Sequence, residues 1–96
     1  MASLHPEHGA RFVLERLDVT PGAARYRVQV FGREPARWVG EATIARPAGT
    51  VSRDGPDGLP AWACTTLDGF LATLAKRHAE DGAFPAKLTR WRAPRT

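Results

Sequence analysis

TTLDGFLATLAKRHAEDG, residues 65–82, is the one stretch with sustained helical periodicity. Leu67, Phe70, Leu71, Leu74 and His78 recur at spacings of three and four, with Ala75 beside them. At 100° per residue they fill an arc of about 140°, the stripe of a helix laid on an apolar surface. Thr65 followed by Asp68 predicts a capping box with Asp in place of Glu, and Gly82 predicts a left-handed stop. The helix is therefore expected to be capped at Thr65 or Thr66 and to end within two residues of Gly82. Leu67, Phe70, Leu71 and Leu74 should be core.

Everything before this stretch reads as strands and turns. Residues 11–19 alternate imperfectly, and a bulge near Glu15 and Arg16 would bring Phe12, Leu14, Leu17 and Val19 onto one face. Thr20, Pro21, Gly22 and Ala23 match a type II turn. In residues 25–31, Tyr26, Val28 and Val30 alternate with Arg25, Arg27 and Gln29, so one face is buried and one is wet. Residues 32–35 turn the chain. Residues 37–46 form a third strand with Trp38, Ala42 and Ile44 inward and Arg37, Glu41 and Thr43 outward, within reach of Arg25 and Arg27. Gly40 on the inner face leaves room for a ring or marks a twist.

Pro47, Ala48 and Gly49 turn the chain again, residues 50–53 make a short strand, and residues 54–58 (DGPDG) are a loop. Residues 59–64 are expected to resume the strand and lead into the helix. After the helix, Phe84 and Pro85 fold back on the core, and residues 87–92 alternate as a final edge strand. The fold class is α+β: an antiparallel sheet of four to five strands in the order β-β-β-β-α with a terminal β, and one helix packed on one face. The domain spans residues 11–92, between a flexible leader (1–10) and a short tail (93–96).

Ninety-six residues suit one domain near the small end of what holds a core unaided. A single cysteine excludes an internal disulfide framework and any multi-cysteine zinc site. Neither a signal peptide nor an apolar membrane span is legible, so a cytoplasmic location without membrane contact is expected. The charge of +4 is unevenly placed. Residues 1–75 hold eight arginines against eight carboxylates and are neutral. Lys76, Arg77, Lys87, Arg90, Arg92 and Arg95 against Glu80 and Asp81 carry the whole excess. Twelve of the fourteen basic residues are arginine, a usage that a GC-rich coding sequence produces without any call for nucleic acid.

Several chemistries lack their residues. His5 and His8 stand three apart, but Pro6 and Gly9 oppose a helix there and no third ligand is near, so no metal is expected. The DGPDG loop has too few alternating oxygen ligands and no closing Glu for calcium. Cys64 and His78 are about 20 Å apart along a helix, too far for a nucleophile pair. Cys64 reads as a small buried hydrophobe near the helix start, where the dipole would also favour a thiolate. Ser3 and Ser52 have no histidine near in sequence, and no phosphate-cradling glycine motif precedes a helix. The chain reads as a non-enzyme without cofactor or metal.

What remains is the sheet face away from the helix. Arg25, Arg27, Gln29, Phe31, Arg37 and Glu41 are assigned to it, with Arg90 and Arg92 from the basic C-terminus. Arginines interleaved with an aromatic are what single-stranded nucleic acid asks of a sheet. The order β-β-β-β-α, with the last strand running into a capped helix, is similar over about residues 12–80 to the PC4-like single-stranded DNA-binding proteins. The likeness is one of topology: it implies nucleic acid on the open face, although the lysine-rich surface of that family is absent here. Two expectations follow. One is an interaction or regulatory module that binds a protein partner, or itself, through the open face or an edge strand. The other is single-stranded nucleic-acid binding. A continuous positive groove would favour the second, and a checkerboard of ion pairs the first.

Overall fold

The computed structural model describes residues 5–94. Five strands form one antiparallel sheet: β1 (Ala10–Val19), β2 (Ala23–Phe31), β3 (Arg37–Ala45), β4 (Val51–Asp54) and β5 (Lys87–Arg92), in the order β4-β3-β2-β1-β5. The helix α1 (Ala61–His78) lies between β4 and β5 in sequence and packs on one face of the sheet. This is the small α+β fold that the pattern of strands and helix predicts.

Alternation sorts the two faces. Phe12 pairs with Val30 and Leu14 with Val28, and these side chains meet Leu67, Leu71 and Leu74 of α1 in the core. Tyr26 and Ile44 complete the sheet side of it, and Phe84 closes one end. The Tyr26 hydroxyl donates to the Pro85 carbonyl at 2.6 Å, which satisfies a buried polar atom and pins the chain leaving the helix. Phe70, expected in the core, is only half-buried; its ring stands edge-on to Phe12 at 5.3 Å.

The helix is displaced one turn towards the N-terminus of the stretch that reveals it. Residues 61–64, read as strand, are its first turn, with Pro60 in the N-cap position and no side-chain cap. The Pro60 carbonyl instead accepts from the N–H groups of Ala63 and Cys64, both at 3.0 Å. Thr65 and Thr66 are inside the helix and donate back to the carbonyls of Ala61 and Trp62. Asp68 faces Arg53 of β4 rather than the helix start. At the other end α1 stops at His78, four residues before Gly82, which takes the left-handed conformation (φ +70°) in the turn that follows. Arg46 holds this end together: its guanidinium donates to the carbonyls of Ala79 and Thr20.

Three turn and strand details also differ from expectation. The bulge in β1 falls at Leu17, between the Arg16 and Asp18 pairings, so Leu17 points outward at 40% exposure while Val19 returns to the core side. The turn after β1 has no left-handed residue and is held by Thr20, whose Oγ1 accepts from the N–H groups of Gly22 and Ala23. Gly40 leaves room for backbone rather than for a ring: a Cβ there would stand 2.6 Å from Gly55 C and Pro56 N. The DGPDG loop crosses the inner face of β3 at that point.

Residues 5–9, expected in a frayed leader, lie against the sheet. The His5 ring stands edge-on to Phe31 at 5.3 Å, and the His8 ring to Trp91 at 5.3 Å. Trp91 Nε1 donates to the His8 carbonyl at 3.0 Å. Residues 1–4 of that leader and 95–96 of the tail lie outside the described residues.

Candidate functional site

Register lays the open face out in cross-strand rows. Arg37, Phe31, Arg11 and Trp91 make one row; Val39, Gln29, Val13 and Thr89 the next. Asp54, Glu41, Arg27, Glu15 and Lys87 make the third, and Ser52, Thr43, Arg25 and Asp18 the fourth. The structure thus brings together Arg25, Arg27, Gln29, Phe31, Arg37 and Glu41, as their alternation predicts.

Their polar groups are partly linked, with Arg27 outside the network. Arg25 donates to Asp18 through Nε and Nη2 and to Glu41 Oε1 at 2.9 Å through Nη1. Arg37 donates to Gln29 Oε1 at 2.7 Å, and Gln29 passes a hydrogen bond to Glu15 at 3.1 Å. The guanidinium beside Asp18 holds its carboxyl below the usual carboxylate range, and Asp18 in turn raises Arg25. This is a checkerboard, not a positive groove. Phe31 is no stacking platform either: it is buried to 5% exposure, with His5 against one side and the Arg37 guanidinium 5.7 Å from its ring. Leu17, Val39 and Trp91, the exposed large apolar side chains among the described residues, stand on three different strands.

Arg90 and Arg92 are not on this face. Arg90 pairs with Phe12 and Arg92 with Ala10, which turns both towards the helix side. They meet a trough that simple dimensions require. Five strands at a spacing of about 4.8 Å span about 19 Å between outer axes, and a helix is about 10–12 Å thick. One helix cannot cover the sheet. Arg53 Nε donates to Asp68 Oδ1 at 2.8 Å on the β4 side of α1, and the uncovered strip falls beside β5.

That strip is a trough of about 310 Å³ between α1 and β5. Phe70, Leu74 and Leu88 supply its apolar lining; Arg77, Arg90 and Arg92 supply charge, and His78 closes one end against Asp81. Among the described residues, no carboxylate lines it. The Arg92 guanidinium lies 5.3 Å from the Phe70 ring, a cation–π contact. A second depression, near the end of α1, mixes Lys76 and Arg77 with Glu80 and Asp81 and so has no consistent sign.

The strand bordering the trough has a free outer edge among the described residues. Arg16 N–H donates to the Ala86 carbonyl at 2.9 Å, which fixes the phase of the β1–β5 ladder. Counting on in twos, Leu88, Arg90 and Arg92 direct their backbone groups at β1, while Lys87, Thr89 and Trp91 direct theirs outward. Two of the outward carbonyls already have partners. Arg90 Nη1 donates to the Thr89 carbonyl at 2.9 Å, and Arg92 Nη1 to the Trp91 carbonyl at 2.7 Å.

Sequence reasoning named Arg90 and Arg92 but gave them the wrong neighbours. It missed Arg77, Phe70 and Leu88 as companions. The signal was present in the charge asymmetry, since Arg77, Arg90 and Arg92 all belong to the basic last quarter. Among the described residues, no group of three or more His, Cys, Asp or Glu is placed to hold a metal, and no helix is long and apolar enough to cross a membrane. Cys64 and His78 both lie in α1, about 21 Å apart along its axis.

Comparison with protein families, curated proteins and solved structures gives no match for the chain. The class is defined by geometry alone: a small α+β domain with an ion-paired sheet face, a capped free edge and a basic trough beside it.

Proposed function

We propose that the chain is a non-catalytic binding module that takes an extended segment of a protein partner onto the outer edge of β5. The observation that carries the reading is the outward row of backbone groups at Lys87, Thr89 and Trp91, bordered by the trough under Phe70, Leu74 and Leu88. Strand addition draws affinity from main-chain hydrogen bonds and specificity from pockets for alternate side chains, and β5 offers both. The other edge strand, β4, is four residues long and bends into the 54–58 loop, so it is the poorer template. A free cysteine suits a reducing compartment, and a cytoplasmic setting goes with this reading.

A second copy as partner is disfavoured. Antiparallel pairing of β5 with its own copy gathers Arg90 and Arg92 of both strands on one side of the ribbon, like charges within cross-strand reach. Single-stranded nucleic acid on the open face is disfavoured by the Asp18–Arg25–Glu41 network and by the burial of Phe31. The test is selection of displayed random peptides against the chain, followed by amide hydrogen exchange on the complexes. Binders should slow exchange at Thr89 and Trp91. Binders that instead protect residues 25–41 would move the site to the open face and overturn the reading.

A further inference from the structure

The two arginines on the carbonyls of Thr89 and Trp91 bear on what kind of strand can dock. A Lys- or Arg-bearing edge is a common guard against promiscuous pairing. Here the guard is specific: each guanidinium lies on a carbonyl that an incoming N–H needs. A docking strand must therefore displace Arg90 and Arg92 from their own backbone. Displaced into a trough with no carboxylate among its described lining residues and with Arg77 nearby, they lose a carbonyl acceptor and gain no charged one from those residues.

We infer that Arg90 and Arg92 form a latch that admits acidic extended segments and rejects neutral or basic ones; this rests on the strand-addition reading above. The exchange of partners is complete only for an acidic strand. Its N–H groups take the Thr89 and Trp91 carbonyls, and its carboxylates, on the helix side of the new ribbon, take the guanidinium groups that those carbonyls release. A neutral strand frees the same two guanidinium groups and offers them nothing charged. Charge-assisted bonds of this kind are stronger than neutral ones, so the difference appears as specificity for acid rather than as affinity for any strand. Arg77 extends the cationic side along α1.

The test uses the intact chain and synthetic peptides of alternating Glu and Val, with Gln for Glu as the neutral control. Binding is read from calorimetry, with the summed fluorescence of Trp38, Trp62 and Trp91 as a second signal. The acidic peptide should bind at least about tenfold more tightly than its Gln counterpart, an advantage that shrinks with salt. In the double variant R90Q/R92Q the preference should fall to about twofold or less. Equal binding of the two peptides by the wild-type chain overturns the latch and leaves strand addition standing. Strand addition itself is tested by Thr89→Pro, which removes an outward N–H without touching the β1 ladder, and by acidic peptide N-methylated on alternate residues. If both bind as the unmodified pair does, the edge is not the site, and the chain is a mere electrostatic patch. Single-stranded oligonucleotide that displaces the acidic peptide at lower concentration than the peptide itself would assign the trough to nucleic acid instead.

Discussion

Asp68 on α1 accepts from Arg53 on β4, at 2.8 Å to Nε and 3.3 Å to Nη2, so the shortest strand is tied to the middle of the helix. The pair lies on the side of α1 away from the bare strip. It raises the Arg53 pKa, with the hydrogen bond to Asp68 as the first cause, yet Asp68 is more than half exposed and the attraction is screened. Asp68→Asn is expected to cost less than about 1 kcal/mol in denaturant unfolding. A loss several times larger would mean the pair supports the helix position through more than surface charge.

Core and bulge are separated by a leucine comparison. Leu67 and Leu71 are fully buried, so Leu71→Ala should cost roughly 2–5 kcal/mol, the range for a core leucine. Leu17→Ala should stay within about 0.5 kcal/mol, because the bulge turns that side chain outward. If Leu17 proves as costly as Leu71, it faces the core and the bulge belongs earlier in β1.

These residues also show what the sequence could and could not disclose. The alternation of Tyr26, Val28 and Val30 with Arg25, Arg27 and Gln29 is local, so it assigns faces correctly without any knowledge of neighbours. The 3.6-residue stripe of Leu67, Leu71 and Leu74 is equally local. The first helical turn was hidden because LPAWAC is a short apolar run, which periodicity cannot distinguish from a strand. Thr65 reads as a cap because a threonine hydroxyl can accept from an N–H at a helix start or donate to the i−4 carbonyl inside one, and only the second occurs here. Phe31 departs from its strand's pattern for a different reason. Its cover, His5, is 26 residues away, and no pattern in the strand announces it. The trough depends on how wide the sheet is relative to one helix, a quantity that exists only after β5 has docked beside β1.

Two glycines should respond oppositely to alanine. At Gly40 the new Cβ meets the Gly55–Pro56 backbone at 2.6 Å, which cannot yield as a side chain would. Gly40→Ala is expected to cost about 2–3 kcal/mol, as overpacking does, and to lower the melting temperature by roughly 10–20 °C. Gly69 sits in mid-helix with nothing within 4 Å of its Cβ position. Gly69→Ala should stabilise by up to about 1 kcal/mol, since alanine loses less backbone freedom in a helix. A stable Gly40→Ala would show that the 54–58 loop does not cross β3 there.

Tyr26 sets an alkaline limit. Burial pushes its phenol above the ordinary value, because the charged form is poorly solvated in the core. A raised folded pKa means that the folded chain keeps a proton which the unfolded chain releases at about pH 10. The contribution to stability is therefore complete below that value and is lost as pH rises through the folded pKa. Tyr26→Phe is expected to cost about 1 kcal/mol at neutral pH, through loss of the bond to Pro85, and to flatten the decline above pH 10. An unchanged alkaline limb in Tyr26→Phe would assign that decline to another group.

Oligonucleotide titration at low salt locates whatever affinity for polyanions the chain has. On the open face Arg25 is bonded to carboxylates and Arg37 to Gln29, whereas Arg90 and Arg92 are bonded only to neutral carbonyls and, with Arg77, line a trough without a carboxylate among its described lining residues. Arg25→Ala and Arg37→Ala should leave oligonucleotide affinity within about twofold, while the double variant R90A/R92A should remove most of it. The salt slope should change in step. For a single strand each phosphate contact contributes about 0.7 to the slope of log affinity against log salt, so losing two contacts lowers it by about 1.4. Phe31→Ala distinguishes stacking from packing. A stacking ring would lose roughly 1–3 kcal/mol of binding with stability intact. Phe31 is buried beneath His5, so its removal should instead cost about 3 kcal/mol of stability and leave binding by the folded protein unchanged. Should the open-face variants abolish binding while R90A/R92A keeps it, the sheet face is the nucleic-acid platform after all, and the ion pairs seen there open when a strand arrives.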